Sequence, residues 1–486
     1  MNTLLELPLV YRLAAVGVIG LILGHLANLA AYAFSDDPRR NPWSQEHPRD
    51  QRNRWLDRLP LFGWLRLSRK TAELGRGFWL RALVVELAMA GLCAGLYWWE
   101  IDQWGILPPG IVGTHVELPP APGDQQPDAS STQPSDVGET KSAADSGDEG
   151  DQRPTITRPL VRPSRITWQI LHVVYAGNVL LIVLMLAATL IDLDERIIPD
   201  EITVPGTLAG LALAAGYAWS LMPVGVSYKF PPGIQFVEFM TLAFPVCEYP
   251  REWPLYLEGR DQLLPLLIAL AVYGFWCVSL LPWLWRPRRG FDQATRMLVA
   301  YAMRSPNALS VLLMALCGGA GIGVVWWLGG PNWTALLTSL AGLAMGGGLI
   351  WMVRLVGALA LRREAMGFGD VTLMAMIGVF LGWQACVVIF FLAPILGLVI
   401  GGARWAMGRG REIPYGPFLC LATLIVIMSW RGVWDLFSYA FEPLYRLPAL
   451  LLVGFVLMFI MLSIWQLVAN FSHRKSYPSE NSSTSP

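Results

Sequence analysis

Charged residues are scarce in this chain. Only 15% of its 486 residues are Asp, Glu, Lys or Arg, whereas 54% are hydrophobic. A soluble domain carries about 25% charged residues, so this composition excludes an ordinary soluble protein and predicts a polytopic membrane protein. Basic and acidic residues balance at 36 each. Because no net charge would attract phosphates, we expect no nucleic-acid partner.

Residues that bind metals are also few. The chain has six cysteines, none in a Cys-x-x-Cys pair, and five histidines scattered along its length. Structural metal sites need ligands at regular short spacing. The sequence therefore predicts no zinc or other metal site, and the cysteines are interpreted as small core residues, since five of them fall in apolar runs.

Long apolar runs, by contrast, are abundant. A helix of about 20 residues crosses the hydrocarbon core of a bilayer. Nine runs have that length and two are shorter, namely 8–34, 77–99, 168–191, 201–222, 262–286, 307–329, 334–360, 384–404 and 447–470, with 370–382 and 415–431 as the short pair. The sequence predicts an all-α polytopic membrane protein with about eleven transmembrane helices.

The loops between these runs differ in composition. Basic residues concentrate in 36–81 and in every second loop after it, which predicts that these loops are cytoplasmic and that the N-terminus is outside. We therefore expect a multi-pass protein of the inner membrane, in contact with lipid. Residues 107–166 are rich in Pro, Ser, Gly, Asp and Thr, a composition that cannot bury a core and predicts disorder outside the cytoplasm.

These features divide the chain into six segments. We expect two helices with a basic cytoplasmic loop, a disordered extracytoplasmic loop, a helix pair with the first candidate aspartate, an insertion with a loop and two extra helices, a second helical unit with the other aspartate, and an extra helix with a cytoplasmic tail. In the same order they cover 1–100, 101–166, 167–222, 223–333, 334–431 and 432–486.

Two aspartates stand at the edges of apolar runs. Asp192 ends one run, and Asp370, preceded by Gly367 and Gly369, begins another. Ionisable groups at membrane depth are costly and functional by default, and the predicted topology puts both at the cytoplasmic boundary. If the fold brings them together, one carboxyl keeps a proton while the other is charged. Such a pair can activate water and polarise a peptide carbonyl, the chemistry of an aspartyl protease.

Simpler interpretations exist for each aspartate taken alone. Asp370 precedes an apolar run, as a helix N-cap does. Asp192, Asp194 and Asp200 could form a solvated turn around Pro199 at the membrane surface. The presence of both segments in one topology favours the catalytic interpretation over these alternatives.

Three ordered motifs carry a family resemblance. Residues 191–203, 364–378 and 413–418 resemble the first aspartate motif, the GxGD motif and a cytoplasmic turn of type IV prepilin peptidases. The resemblance implies a GxGD aspartyl protease core in which Asp192 and Asp370 are the catalytic pair. It also implies supporting roles for Glu364, Gly367, Gly369, Asp194, Pro199, Asp200, Pro414, Gly416 and Pro417.

The resemblance further implies a substrate and a second activity. Type IV prepilin peptidases cut the basic leader from prepilins and pseudopilins at the cytoplasmic face, and many then methylate the new N-terminus with S-adenosylmethionine. Proteolysis needs no cofactor. The cysteine pairs that often bind zinc in the first cytoplasmic loop are missing from 66–73, and Thr372 replaces a frequent lysine. We therefore expect no zinc, and the methylation step is left open.

Two other functions remain under consideration. An intramembrane protease of the presenilin or signal-peptide-peptidase type shares a GxGD-like motif, but it pairs this motif with Tyr-Asp and Pro-Ala-Leu motifs. Ile191-Asp192 and the Pro-Tyr-Gly-Pro run at 414–417 fit the prepilin type better. The other alternative is a catalytically inactive homologue that acts in pilus or secretion assembly or in transport.

Overall fold

The computed structural model describes the helical parts of the chain and part of the connecting segments. These residues are 7–34, 59–68, 78–107, 165–230, 234–241, 263–281, 308–361, 366–407, 414–441, 448–449, 451–461 and 463. Glu364, the sequence 108–164 and most of the basic loop 36–81 lie outside the described residues. The predictions made for them are therefore not tested.

Helices make up nearly all of the described chain, and each of the eleven predicted apolar runs contains one. The helices are α1 Leu9–Ala33, α2 Phe62–Leu67, α3 Phe78–Tyr97, α4 Arg165–Glu195, α5 Asp200–Gly216, α6 Leu264–Ser279, α7 Ala308–Leu328, α8 Pro331–Leu361, α9 Phe368–Leu381, α10 Trp383–Ala406, α11 Gly416–Met428, α12 Trp430–Phe441 and α13 Leu451–Met461. The predicted helical membrane class is confirmed.

A β-hairpin was not predicted. Strands β1 Pro223–Phe230 and β2 Ile234–Thr241 pair antiparallel, with Pro223 opposite Thr241. The hairpin lies at the start of the segment predicted to be an insertion. It connects to the helical body where the buried Trp430 donates its indole N–H to the carbonyl of Pro223 at 2.7 Å.

In the part of the chain that the structure describes, six helices are long and apolar enough to cross a membrane. These are α1, α3 with its π-helical extension Trp98–Asp102, α4, α7, α8 and α10. Helix α11 and the start of α12 together would form a seventh, bent by 86°. Helices α6, α9 and α13 are apolar but shorter. The multi-pass character is thus confirmed, whereas the number eleven stays a prediction.

Helix α9 lies at the centre of the molecule. All residues from Val371 to Leu381 are buried, and α4, α5, α8, α10 and α11 all contact it. Its 14 residues span roughly 21 Å, less than the hydrocarbon core of about 30 Å. The position of Asp370 at its first turn is therefore fixed by surrounding helices rather than by a solvated loop.

Glycines allow this dense packing. Gly342 of α8 touches the backbone of α9 at Gly378, and Gly346 touches the carbonyl of Met374. Such contacts between backbones require residues without a Cβ atom. At the end of α9, Gly382 has a φ of +83°, a conformation open to glycine at little cost, and α10 begins at the next residue. The short helix is thereby held in one place.

The first two spans enclose a separate polar cluster. Glu86 of α3 is 0% exposed, and its carboxylate accepts hydrogen bonds from the backbone N–H of Leu61 at 2.7 Å and the indole N–H of Trp64 at 2.5 Å. The Nδ1 atom of His25 in α1 lies 2.7 Å from the same carboxylate. These bonds join α1 and α3 to the segment 59–68, because all three donors meet at one side chain.

Four of the five cysteines in the described residues follow the prediction. Cys93, Cys277, Cys386 and Cys420 are buried, while Cys317 is exposed on α7. Cysteine behaves in such places as a small hydrophobic residue. The interpretation as core residues therefore holds for the four buried cysteines.

Candidate active site

Asp192 lies in the last turns of α4. Its side chain is only 4% exposed. The helix ends because Arg196, at a φ of +60°, leaves helical geometry while its N–H still bonds to the carbonyl of Asp192 at 2.9 Å. Pro199, in an extended conformation, then starts α5 at Asp200. The alternative interpretation of Asp192 as part of a solvated turn is therefore wrong, because Asp192 is buried.

Asp370 lies in the first turn of α9. The N-cap of this helix is Gly367, in an extended conformation, and Asp370 is three residues further on. The interpretation of Asp370 as the N-cap is therefore wrong. A carboxylate in the first turn still gains from the positive end of the helix dipole, and Asp370 is partly buried. An N-cap role therefore does not explain why an aspartate is at position 370.

The turn after α4 lies directly on the GxGD segment. A Cβ atom on Gly369 would stand 2.8 Å from the Cβ of Ile198 and 3.0 Å from its carbonyl oxygen. No side chain fits in that space, since the obstacle includes backbone. The contact brings the end of α4 against the start of α9, and Asp192 and Asp370 are close enough to interact electrostatically.

A third element closes the site from the other side. A Cβ atom on Gly416, the first residue of α11, would stand 2.5 Å from Oδ2 of Asp192 and 2.9 Å from Cδ1 of Ile198. The backbone N–H of Gly416 donates toward the Asp192 carboxylate. The N-terminus of a helix favours negative charge, so α11 stabilises charge at Asp192. Pro414 and Pro417 flank this turn.

One oxygen of Asp192 remains available. Among the described residues, Oδ2 has no hydrogen-bond partner although it is buried. A buried carboxylate oxygen without a donor is costly and calls for an explanation such as catalysis or a bound water. Glu100 also has an unpartnered oxygen, but its other oxygen accepts a bond from Asn178 at 2.8 Å. What sets Asp192 apart is the second carboxylate beside it.

The other predicted acidic residues are placed elsewhere. Asp194 forms an ion pair with Arg81, at 2.7 Å from Nη1 of the arginine. Asp200 is exposed at the start of α5. Glu364 lies outside the described residues. The structure therefore brings Asp192 near Asp370, with Gly416 against Asp192 and Gly369 against Ile198.

Two buried threonines support the GxGD turn through hydrogen bonds. Neither was predicted to belong to the site. Thr203 of α5 donates a hydrogen bond to the hydroxyl of Thr372 at 3.2 Å, and Thr372 donates to the carbonyl of Gly369 at 3.0 Å. Both threonines are buried. The chain of bonds links α5 to the GxGD turn. In the sequence, Thr372 was noted only because the family resemblance implies a lysine at this position. Thr203 gave no such sign.

Within the described residues, no group of three or more His, Cys, Asp or Glu side chains has the arrangement of a metal site. The two carboxylates can act as acid and base without a metal, because together they supply one proton donor and one acceptor. The expectations about zinc and S-adenosylmethionine remain predictions.

Comparison with known proteins identifies part of the chain. Residues 302–402 match the Type IV leader peptidase family. The match contains Asp370 and the glycines before it but not Asp192. It begins inside the stretch 223–333, which the sequence analysis treats as an insertion, and so includes α7.

Relatives share further parts of the sequence. The protein named Prepilin leader peptidase/N-methyltransferase in Aeromonas salmonicida (strain A449) is 27% identical over 182 residues, which is 36% of this chain and 57% of that relative. Proteins of the same name in Stutzerimonas stutzeri and Pseudomonas aeruginosa are 32% identical over 97 residues and 31% over 93, covering 34% and 32% of those relatives. The chain thus spans little more than half the length of the first relative and about a third of the other two. No solved structure matches it.

These matches confirm the resemblance to type IV prepilin peptidases that the three motifs indicated. The family match reaches only one of the two aspartates. The pairing of Asp192 with Asp370 therefore depends on the geometry described above.

Proposed function

We propose that this chain is a membrane aspartic endopeptidase that removes the basic leader peptide of type IV prepilins or pseudopilins. The observation that carries the proposal is the contact of Ile198 with Gly369, which joins the end of α4 to the start of α9 and sets Asp192 beside Asp370. The names of the relatives, which include leader peptidase, support the same reaction.

The mechanism would be water attack on the scissile carbonyl without a covalent intermediate. The charged carboxyl of the pair takes a proton from water, and the protonated carboxyl donates toward the carbonyl oxygen. Because the two groups share protons, acid and base belong to the pair rather than to either residue. The N–H of Gly416 would stabilise the charged form of Asp192.

The location of the site follows from the basic loops. The positive-inside rule puts the ends of α4 and α9 at the cytoplasmic face of the inner membrane, where a basic leader would be accessible. N-methylation of the mature N-terminus with S-adenosylmethionine is a second step of the proposal, supported by the names of the relatives.

The alternatives have less support. The alternative of an inactive homologue gives no reason why two carboxylates should lie against glycines at two helix ends. A presenilin-type protease does not account for the contact of the turn at Gly416 with Asp192.

The test uses the full chain in membranes with a prepilin-like substrate. Asp192→Asn and Asp370→Asn should each lower cleavage by at least about 10³-fold, as loss of a catalytic carboxylate does elsewhere. The matched control is Asp435→Asn on the exposed side of α12, which should cleave normally. Cleavage that survives either catalytic substitution would exclude the pair. The mass of the mature N-terminus reports methylation separately.

A further inference from the structure

An arginine from the second span reaches the end of α4. Arg81 lies in the first turn of α3. Its Nη1 atom is 2.7 Å from both carboxylate oxygens of Asp194, and its Nη2 atom donates to the backbone carbonyl of Leu190 at 3.1 Å. One guanidinium therefore bonds two successive turns of α4 at once.

These two contacts lie on the face of α4 opposite to the Asp192 side chain. Residues 190 and 194 are four apart and share one face of the helix. Asp192 is two residues from each, which is about 200° around the axis, and so it projects from the opposite face. Arg81 thus binds the last turn of α4 on one face, and the Asp192 carboxylate projects from the opposite face.

The last turn of α4 needs such support. It ends the helix at Arg196 and leads within two residues to Ile198, which contacts both Gly369 and Gly416. Any fraying of this turn would move Asp192 and Ile198 together relative to Asp370. A cation at a helix C-terminus also opposes fraying through the helix dipole.

We propose that Arg81 is a positioning residue that fixes Asp192 relative to Asp370 without contacting the substrate. This inference rests on the proposed function. An exposed ion pair alone contributes little stability. Here the bond to the backbone carbonyl of Leu190 adds to the contribution of the pair, because two separate nitrogens act on consecutive turns. Lysine has its three donors on one nitrogen and lacks the planar fork, so it should reproduce the two bonds less well.

The kinetic test compares Arg81→Gln and Arg81→Lys with the unmodified chain. A small displacement of a catalytic group is enough to slow the chemical step, so we expect kcat to fall about 10-fold in Arg81→Gln and less in Arg81→Lys, with KM unchanged. Arg431→Gln on the exposed part of α12 is the control and should keep both values. A raised KM with normal kcat would indicate substrate binding instead and overturn the proposal.

A charge reversal tests the pair itself. Arg81→Asp alone should be less active than Arg81→Gln, because two carboxylates would then oppose each other. Adding Asp194→Arg to Arg81→Asp should restore part of kcat, although the bond to the Leu190 carbonyl is lost. No recovery in the double variant would show that the ion pair does not position the helix end.

Hydrogen exchange gives a readout that does not depend on cleavage. In the full chain in detergent, the amides of residues 190–196 should exchange faster in Arg81→Gln than in the unmodified protein and in Arg431→Gln. Unchanged exchange there would overturn the proposal even if no substrate were found. Full activity of Arg81→Gln beside inactive Asp192→Asn would reject the positioning role and leave the proposed function intact.

Discussion

Two buried carboxylates, Glu86 in α3 and Asp192 in α4, are held in different ways. Glu86 is surrounded by three donors from two other segments, and both of its oxygens are used. Asp192 keeps Oδ2 unpartnered among the described residues and has a second carboxylate nearby. Since burial without partners costs stability, the first arrangement stabilises the fold. The second arrangement lowers the stability of the fold, but it leaves a carboxylate oxygen available for a reaction.

The comparison extends to the surroundings. The carboxylate of Glu86 bonds to a large side chain, Trp64, which is 1% exposed, while Gly24 packs against the Glu86 backbone. The carboxylate of Asp192 lies against Gly416, and Ile198 in the following turn lies against Gly369; even one methyl group at either glycine would collide with these atoms. Large neighbours fill space and exclude water, while glycines bring backbones and carboxylates close together. Burial alone therefore does not distinguish a structural acid from a reactive one; its partners do.

The strongest way to break this comparison is to neutralise each acid. Asp192→Asn should lose cleavage by at least about 10³-fold and melt at the same temperature or higher, because it removes repulsion from Asp370. Glu86→Gln should keep activity per folded molecule, yet lose about 1–3 kcal/mol because one amide cannot accept from all three donors. Cleavage assays and thermal unfolding in detergent measure both. Equal losses of activity in the two variants would contradict the distinction.

A second prediction concerns Gly369. Gly369→Val would force the GxGD turn away from the backbone of Ile198, and a shift of about 1 Å at a catalytic group can cost 10²-fold in rate. We expect kcat to fall about 100-fold, with Gly369→Ala falling less. Gly348→Ala is the control, because a Cβ atom there meets nothing within 4 Å. Normal activity of Gly369→Val would mean that the close approach does not set the distance between the aspartates.

The smallest expected effect is at Thr203. Thr203→Val removes one hydrogen bond to Thr372 and keeps the shape of the side chain, so the loss should be about 1 kcal/mol. We expect a lower melting temperature and a decrease in kcat of less than about 10-fold. Thr338→Val, whose hydroxyl donates within α8 to the carbonyl of Thr334, is the matched control. An equal shift in both variants would show that the contact between α5 and α9 has no special effect on the site.

Much of the fold could be predicted because the length of an apolar run is a local property of the sequence. Each predicted run contains a helix. The hairpin β1–β2 was missed because its residues were interpreted as part of a loop, although β1 alternates apolar residues with small or polar ones from Val224 to Phe230. The burial of Trp430 was missed too, because a tryptophan near the end of an apolar run is equally typical of a membrane interface.

The sequence by itself determined that the chain lives in a membrane and that two aspartates mark the ends of helices. The residue pattern alone did not separate Asp192 from Asp194, which stand two residues apart in the same motif; only the family resemblance favoured Asp192. The tertiary structure decided which partner each one has, because helix geometry points Asp194 at Arg81 and Asp192 at Gly416. The chemistry of a carboxylate depends on the atoms around it, and those atoms come from α3, α9 and α11, far away in the chain.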